Sequence, residues 1–119
     1  MEFNENKPIY LQLADKIMDD VLQLDLNQDN RLLSVREYAA QVGVNPNTVN
    51  RAYTWLQDKG IIFNKRGIGY FFEADAKEKI IQQRKKYFME VELPDFVRRL
   101  IKLDIDPNLF VKTYLKYKE

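Results

Sequence analysis

The chain has 119 residues, 45% of them apolar, and a formal net charge of +1, which fits one small domain with or without an appendage. It contains no cysteine and no histidine, so the sequence excludes disulfides, thiolate metal sites and the most common general base. The carboxylates show no spacing typical of a catalytic pair, so we expect neither an enzyme nor a bound metal or cofactor.

Two features of the sequence bear on location. No run approaches the ~20 consecutive apolar residues that a membrane-spanning helix needs. The N-terminal stretch MEFNENKPIY is acidic and polar, unlike a signal peptide. We therefore expect a cytoplasmic protein that does not contact a membrane.

The charges are distributed unevenly along the chain. Residues 1–30 include two basic and seven acidic residues, a balance of −5, whereas residues 31–72 include six basic and two acidic residues, a balance of +4. Residues 73–119 include 11 basic and nine acidic residues, a balance of +2. Because a basic excess focused on one face can bind phosphates at a total charge near zero, the middle segment is the candidate for binding nucleic acid.

The first predicted element is a helix over residues 8–24, which starts at a proline and repeats apolar residues at steps of three or four. The polar stretch DLNQDN, 25–30, is typical of a loop. Ser34 then predicts the N-cap of a second helix, with Glu37 three residues later completing a capping box. Gly43 predicts the end of that helix in a left-handed conformation.

A third helix is predicted to begin with Asn45 as its cap and Pro46 at its first position, and to end at Gly60. Its inward apolar stripe consists of Val49, Ala52, Tyr53 and Leu56. Two runs of β-branched and aromatic residues in IIFNKRGIGYFF, 61–72, flank the turn NKRG and predict a β-hairpin. The order helix, helix, turn, helix and hairpin predicts a winged helix-turn-helix.

Residues 74–119 are helical in pattern, with new segments starting at Pro94 and Pro107. A tail of about 45 residues is too small to enclose its own core. We therefore predict a mainly α protein with a small β-hairpin, in which a winged helix-turn-helix DNA-binding domain over 1–73 precedes a helical dimerisation tail over 74–119. The candidate dimer-interface residues are Phe88, Val91, Phe96, Leu100, Ile101, Phe110 and Tyr114. The alternative is that these residues only cover the winged-helix core of one chain.

Three segments of the sequence together form a known pattern. They are PIYLQLADKI, 8–17, the central stretch LLSVREYAAQVGVNPNTVNRAYTWLQDKGII, 32–62, and KRGIGYFF, 65–72. In this order they resemble the opening helix, the central signature and the wing of the GntR family of bacterial transcription regulators. The short tail resembles that of the YtrA-like subgroup, whose members dimerise through it. The resemblance implies a regulator that binds a near-palindromic operator in double-stranded DNA as a homodimer and acts as a repressor, with no effector identified.

The sequence departs from the family pattern near the third helix. Leu33 stands where the family usually has proline, and Pro46 stands where a basic residue is frequent. Asn50 occupies a position at which some members have arginine. The resemblance therefore implies a recognition surface that uses amides more than in those relatives.

The third helix has polar residues opposite its inward stripe, namely Asn45, Asn47, Thr48, Asn50, Arg51 and Thr54. In a helix-turn-helix, the N-terminal residues of the second helix meet base edges in the major groove. Asparagine can form two hydrogen bonds with adenine, and arginine can do so with guanine. We expect base contacts from Asn47, Asn50 and Arg51, and a base or phosphate contact from Thr48. The alternative is a helix face that is merely solvated.

Two residues near the second helix are further candidates for DNA contact. Arg36 matches the family's arginine in the first turn and is expected to contact a base or a phosphate. An ion pair with Glu37 or Asp58 is the alternative. Ser34 is expected to cap the helix, and capping alone is as plausible as capping plus phosphate contact. Tyr10 of the first helix is expected to contribute to packing.

The tip of the predicted wing consists of Lys65, Arg66 and Gly67. Two cations beside a residue without a side chain can enter the minor groove. The alternative is a polar turn in which glycine only supplies a positive φ. For the whole chain, the alternative function is a winged-helix module that binds protein and not DNA, against which the +4 balance of 31–72 argues.

Overall fold

The structure is a computed structural model that describes residues 3, 6–28 and 30–119. Its elements in chain order are α1 (Ile9–Val21), α2 (Val35–Val42), α3 (Pro46–Asp58), β1 (Ile62–Lys65), β2 (Gly69–Phe72), α4 (Ala76–Tyr87), a π-helical turn (Phe88–Glu92), α5 (Leu93–Lys102) and α6 (Pro107–Lys118). The predicted fold class, a winged helix-turn-helix with a helical tail, is confirmed. Two compact units form, one up to Ile81 and the other over Gln82–Glu119.

The core of the first unit lies where α1 and α3 pack together with α2 and the hairpin. The predicted inward stripe of α3 is confirmed, because its four residues are at most 1% exposed. On α1, five residues are buried, including Leu13 and Ile17. This helix ends at Val21, three residues earlier than predicted, yet Leu24 still packs against the core from the following turn.

The predicted helix caps are confirmed. The Ser34 hydroxyl accepts a hydrogen bond from the Glu37 N–H at 3.1 Å, and the Glu37 carboxylate accepts one from the Ser34 N–H at 3.0 Å. Gly43 ends α2 at a φ of 72°. The Asn45 side chain accepts from the Asn47 N–H at 2.8 Å, with Pro46 at the start of α3. Gly43 and Asn45 therefore define the two ends of the turn between α2 and α3.

The turn of the wing is shifted by one residue from the predicted 64–67. The observed β-turn spans 65–68, and the Ile68 N–H donates to the Lys65 carbonyl at 2.9 Å. Gly67 has a φ of 80° at the third position, as a type II turn requires. The three residues predicted at the tip, Lys65, Arg66 and Gly67, all lie in this turn, whereas Asn64 belongs to β1.

An isolated β-bridge pairs the chain before α2 with β2 of the two-stranded hairpin. Arg31 forms an antiparallel bridge with Phe71. The Leu32 N–H donates to the Tyr70 carbonyl at 2.9 Å, and the Phe72 N–H donates to the Asn30 carbonyl at 2.7 Å. The chain that leads into α2 is therefore paired with the wing, although the sequence pattern there predicts only a loop up to residue 30.

The first unit extends beyond residue 73, the predicted end of the winged helix domain. Ala76 and Ile80 of α4 are fully buried in its core. The Lys79 ammonium also donates to the Gly60 carbonyl at 3.0 Å. These contacts attach the first half of α4 to the winged helix.

The second unit contains α5 and α6, which meet through their aromatic residues. The ring centroids of Phe96 and Phe110 are 5.4 Å apart. Asp104, at a φ of 53°, ends α5 in the left-handed region, and the Asp106 carboxylate caps α6. The π-helical turn precedes Pro94, whose missing N–H and bulky ring disturb a regular α-helix. Across the described residues, no helix combines the length and apolar character needed to cross a membrane.

Candidate nucleic-acid interface

The outward face of α3 consists of exposed polar side chains. Asn47, Asn50 and Thr54 are exposed, while Val49 on the opposite side is completely buried. Thr48 is half-buried, which places it at the border between the two faces. The separation of the faces follows from the helical period, because tertiary packing rather than intrinsic propensity stabilises this asparagine-rich helix.

The capping contact limits what Asn45 can do. Its side-chain oxygen accepts the hydrogen bond from the Asn47 N–H and thereby satisfies one free donor at the helix start. The amide NH₂ group of Asn45 is then the part available for another acceptor, such as a base edge or a phosphate. Asn47 and Asn50 have no such role in capping, and both of their side chains are exposed.

Arg51 lies over an aromatic ring of another helix. Its guanidinium carbon is 4.3 Å from the centroid of the Tyr10 ring on α1. A cation–π contact at an exposed site contributes about 0.5–1 kcal/mol. Because a stacked guanidinium keeps its edge N–H groups free, the contact orients Arg51 without satisfying its donors. Tyr10 therefore orients the Arg51 side chain in addition to packing on α1. The spacing of residues along the sequence could not have predicted this pairing.

A shallow cleft of about 250 Å³ lies beside this pair. It is lined by Tyr10, Asn50, Arg51, Thr54, Trp55 and Asp58. The exposed polar residues of α3 are thus continuous with the Tyr10 ring along one side of the first unit. The Trp55 ring is half-buried against the core, and the Lys59 ammonium lies 5.6 Å from its centroid.

Arg36 is exposed in the first turn of α2. Neither of the expected partners, Glu37 and Asp58, forms an ion pair with it in the part of the chain that the structure describes. Glu37 is instead held by Ser34, whose backbone and side-chain hydrogen bonds lower the pKa of that carboxyl below its ordinary value. A carboxylate at this position also complements the positive end of the helix dipole.

The wing presents Arg66 and Gly67 at its exposed turn. Lys65, the last residue of β1, has its ammonium 5.9 Å from the centroid of the Phe71 ring. Phe71 also stacks on Phe63 at 5.7 Å between centroids. Of the two predicted cations, Arg66 is exposed at the centre of the turn, whereas the Lys65 ammonium lies near the aromatic face of the hairpin.

Arg31 supports the wing and was not predicted as a functional residue. Its Nη2 donates to the Ile68 carbonyl at 3.0 Å, and its guanidinium carbon lies 6.0 Å from the Phe71 centroid. A Cβ at position 69 would meet the guanidinium at 3.5 Å, an ordinary contact distance, so the φ of 145° rather than the space favours glycine there. Only the pairing of residues 30–32 with β2 brings Arg31 to the turn.

Tyr53 connects α3 with the chain that enters α2. Its hydroxyl donates to the Leu33 carbonyl at 2.7 Å, and its ring meets Tyr70 edge-on at 4.9 Å between centroids. Burial, with smaller contributions from neighbouring charges, raises the pKa of Tyr53 far above its ordinary value. The hydroxyl therefore stays protonated and keeps donating at any physiological pH.

The candidate dimer residues all lie in the second unit and are accessible in the single chain. Phe88, Val91, Phe110 and Tyr114 are exposed, Ile101 is 72% exposed, and Phe96 and Leu100 are half-buried. No residue of α5 or α6 is buried, although the structure describes both helices completely. Within the described residues, no cluster of acidic, histidine or cysteine side chains could hold a metal ion.

Comparison with known proteins shows which family shares this arrangement. Residues 9–72 match the family model described as bacterial regulatory proteins, gntR family. The HTH-type transcriptional regulator YhcF of Bacillus subtilis is 38% identical over 104 residues, 87% of this chain and 84% of that protein. The HTH-type transcriptional repressor YtrA of the same organism is 34% identical over 83 residues, 70% of this chain and 64% of that protein.

A solved structure extends the similarity to nearly the whole chain. The structure of a GntR-family transcriptional regulator from Bacteroides thetaiotaomicron superposes with a TM-score of 0.77 at 44% identity, covering 92% of this chain and 95% of that one. The resemblance to the GntR family and to YtrA-like regulators is therefore confirmed, as is the expectation that the protein is not an enzyme. The chain belongs to the GntR family of bacterial regulatory proteins, which are DNA-binding regulators of transcription.

Proposed function

We propose that the protein acts in the cytoplasm as a homodimer that binds a near-palindromic operator and represses transcription by occupying it. The observation that carries the proposal is the exposed amide face of α3, which contains Asn47 and Asn50 and lies opposite a fully buried stripe. The repressor assignment is supported by the 34% identity to YtrA, a protein named as a repressor.

In this proposal, α3 lies in the major groove. Asn47 and Asn50 form paired hydrogen bonds with adenines, and Asn45 donates through its free amide group. Arg51, stacked on Tyr10, points its guanidinium edge at a guanine or a nearby phosphate. Thr48, at the border of the face, contacts a base or a phosphate.

The remaining contacts flank the groove. Arg36 and Ser34 contact the backbone at the start of α2, where the helix dipole favours a phosphate. On the wing, Arg66 enters the minor groove beside Gly67, while Lys65 contributes charge near the backbone. Phosphate contacts set the register of the protein on DNA, and the α3 amides supply sequence specificity.

The test is selection of binding sites from a random duplex pool, followed by affinity measurements on single variants. Asn50→Ala should weaken binding to the selected site by about 1–3 kcal/mol, roughly 5–150-fold, and leave binding to non-specific duplex unchanged. Arg66→Ala should weaken both, and the slope of log K against log salt should decrease in magnitude by about one.

Lys118→Ala is the matched control for Arg66→Ala, because it removes a charge from the exposed end of α6. It should change neither the affinity nor the salt slope. If no palindromic site emerges from the pool, the operator proposal fails. If a site emerges but Asn50→Ala binds it like the wild type, only the assignment of readout residues fails.

The role of Tyr10 can be tested separately with a double-mutant cycle. Tyr10→Leu should lose part of the affinity that Arg51→Ala loses, and the double variant should lose no more than Arg51→Ala alone. Tyr10→Phe keeps the ring under the guanidinium and should bind like the wild type. Strictly additive losses would show that the stack does not position Arg51.

The dimer is proposed to form through the apolar surface of the tail. Large exposed apolar patches mark interaction sites, and Ile101 and Leu103 of this tail are 72% and 70% exposed. Ile101→Lys should yield monomers in analytical ultracentrifugation, whereas Ile101→Leu keeps the apolar area and should stay dimeric. Loss of dimerisation should also weaken binding to the full palindrome more than to a half-site. An unchanged mass for Ile101→Lys would contradict this interface.

A further inference from the structure

The winged helix contains a cavity of about 190 Å³ that lies away from the exposed face of α3. Its apolar lining includes Ile17 of α1, Leu32 beside β2 and Phe72 of β2. A cavity of about 150 Å³ with such a lining is large enough to hold benzene. The volume therefore fits a molecule with a single ring.

The polar residues around this cavity are few and distinct. Tyr38, Asp20 and Gln41 line it together with the apolar residues. Tyr38 is only 7% exposed, and its hydroxyl is buried without a hydrogen-bond partner among the described residues. A buried hydroxyl is almost always hydrogen-bonded, because leaving it unpaired costs the desolvation energy of the group. Because Tyr38 also lines the cavity, a polar group bound there can satisfy this hydroxyl.

Asp20 is the charged residue that lines the cavity. Its side chain is 61% exposed, and one carboxylate oxygen, Oδ2, is 3.2 Å from the Lys16 ammonium. The second oxygen has no such partner in the part of the chain that the structure describes. The Asp20 carboxylate also acts electrostatically on the Tyr38 phenol, so the two polar groups belong to one environment. Lys16 offsets part of this charge, and the second oxygen can accept a hydrogen bond from a bound ammonium.

We propose that this cavity is a binding site for small aromatic amines, with the ring among Ile17, Leu32 and Phe72 and the ammonium hydrogen-bonded to Tyr38 and Asp20. The site is independent of the proposed DNA contacts, none of which line it. It does share Leu33 and Tyr53 with the hydrogen bond that joins α3 to the chain entering α2. The ligand thus lies directly behind the helices that face DNA.

The test uses benzylamine as the probe, added to the full chain without DNA and followed by amide chemical shifts in NMR spectra. Saturable shifts should be confined to residues around the cavity, with a Kd of about 1 mM for so small a ligand. Benzyl alcohol should bind more weakly than benzylamine, and benzoate more weakly still. Absence of saturation, or shifts spread over the surface, would overturn the proposal.

Three variants test which residues bind the ligand. Tyr38→Phe should weaken benzylamine about 3–10-fold, the effect of one lost hydrogen bond. Asp20→Asn, at an exposed position, should abolish the preference for benzylamine over benzyl alcohol while the domain stays folded. Tyr117→Phe removes a hydroxyl from the exposed tail and should bind like the wild type. If Tyr38→Phe binds with unchanged affinity, water and not a ligand satisfies the hydroxyl, and the proposal is wrong.

Discussion

Replacing Tyr53 with phenylalanine tests how the helices that we propose face DNA are held together. The substitution removes one oxygen from a side chain that is 1% exposed and leaves the ring, with its edge-on contact to Tyr70, in place. What is lost is the hydrogen bond from the hydroxyl to the Leu33 carbonyl, at 2.7 Å an ideal length for this type of bond. We therefore expect lower stability without a change of fold.

The expected magnitude follows from the surroundings of the two atoms. A typical intramolecular hydrogen bond contributes about 0.5–1.5 kcal/mol net, and a partner left unpaired in the interior costs about 1–3 kcal/mol. Leu33 is 39% exposed, so water can reach its carbonyl and the cost stays at the lower end. A loss of about 1–1.5 kcal/mol corresponds to a Tm that is roughly 5–10 °C lower for a unit of this size.

Tyr38→Phe is the matched control, because it removes the same atom from the same core. The Tyr38 hydroxyl has no partner among the described residues, so its removal should leave Tm unchanged or raise it slightly. Both variants should be melted at one protein concentration by circular dichroism, since Tm depends on concentration in a dimer. Equal decreases in Tm for the two variants would refute the reasoning that the Leu33 contact is the source of the effect.

Three further predictions concern stability. Ser34→Ala should lower the free energy of unfolding by about 1 kcal/mol, measured from the urea midpoint, and Ser34→Asp should largely avoid that loss. Burial raises the pKa of Tyr38 from 10.0 to about 12, because the folded protein disfavours the charged phenolate. The free energy of unfolding is therefore independent of this group's ionisation below pH 10 and decreases as the pH rises towards 12. Tyr38→Phe should therefore show a shallower loss of stability across this range, and an identical slope would argue against the shift. Asp104→Val should lower Tm because Asp104 has a φ of 53°, whereas Asp104→Gly should not.

The sequence predicts most of what depends on local rules. The capping box of Ser34 and Glu37, the left-handed Gly43 and the Asn45 cap all follow from residue types a few positions apart. The inward stripe of α3 follows from the helical period. Hence the exposed amide face, which is the centre of the candidate site, could be located without a structure.

Contacts between distant segments could not be predicted in this way. Arg51 and Tyr10 are separated by 41 positions, and only the packing of α1 on α3 brings them together. Arg31 and Ile68 are likewise joined across 37 positions by strand pairing. The sequence pattern does not reveal this pairing, because the polar residues that precede Arg31 are typical of a loop and the bridge depends on backbone atoms.

The five residues 30–34 connect all the parts that are proposed to contact DNA. Asn30, Arg31 and Leu32 hold the wing through backbone pairing and the contact to Ile68. The next carbonyl, from Leu33, receives the Tyr53 hydroxyl of α3, and Ser34 then caps α2. One short segment therefore sets the relative positions of both helices and the wing through polar contacts. Because such contacts are directional where apolar packing is not, they fix the relative orientation of the three elements that we propose contact DNA. Loss of the Tyr53 contact should accordingly weaken operator binding even where the domain remains fully folded.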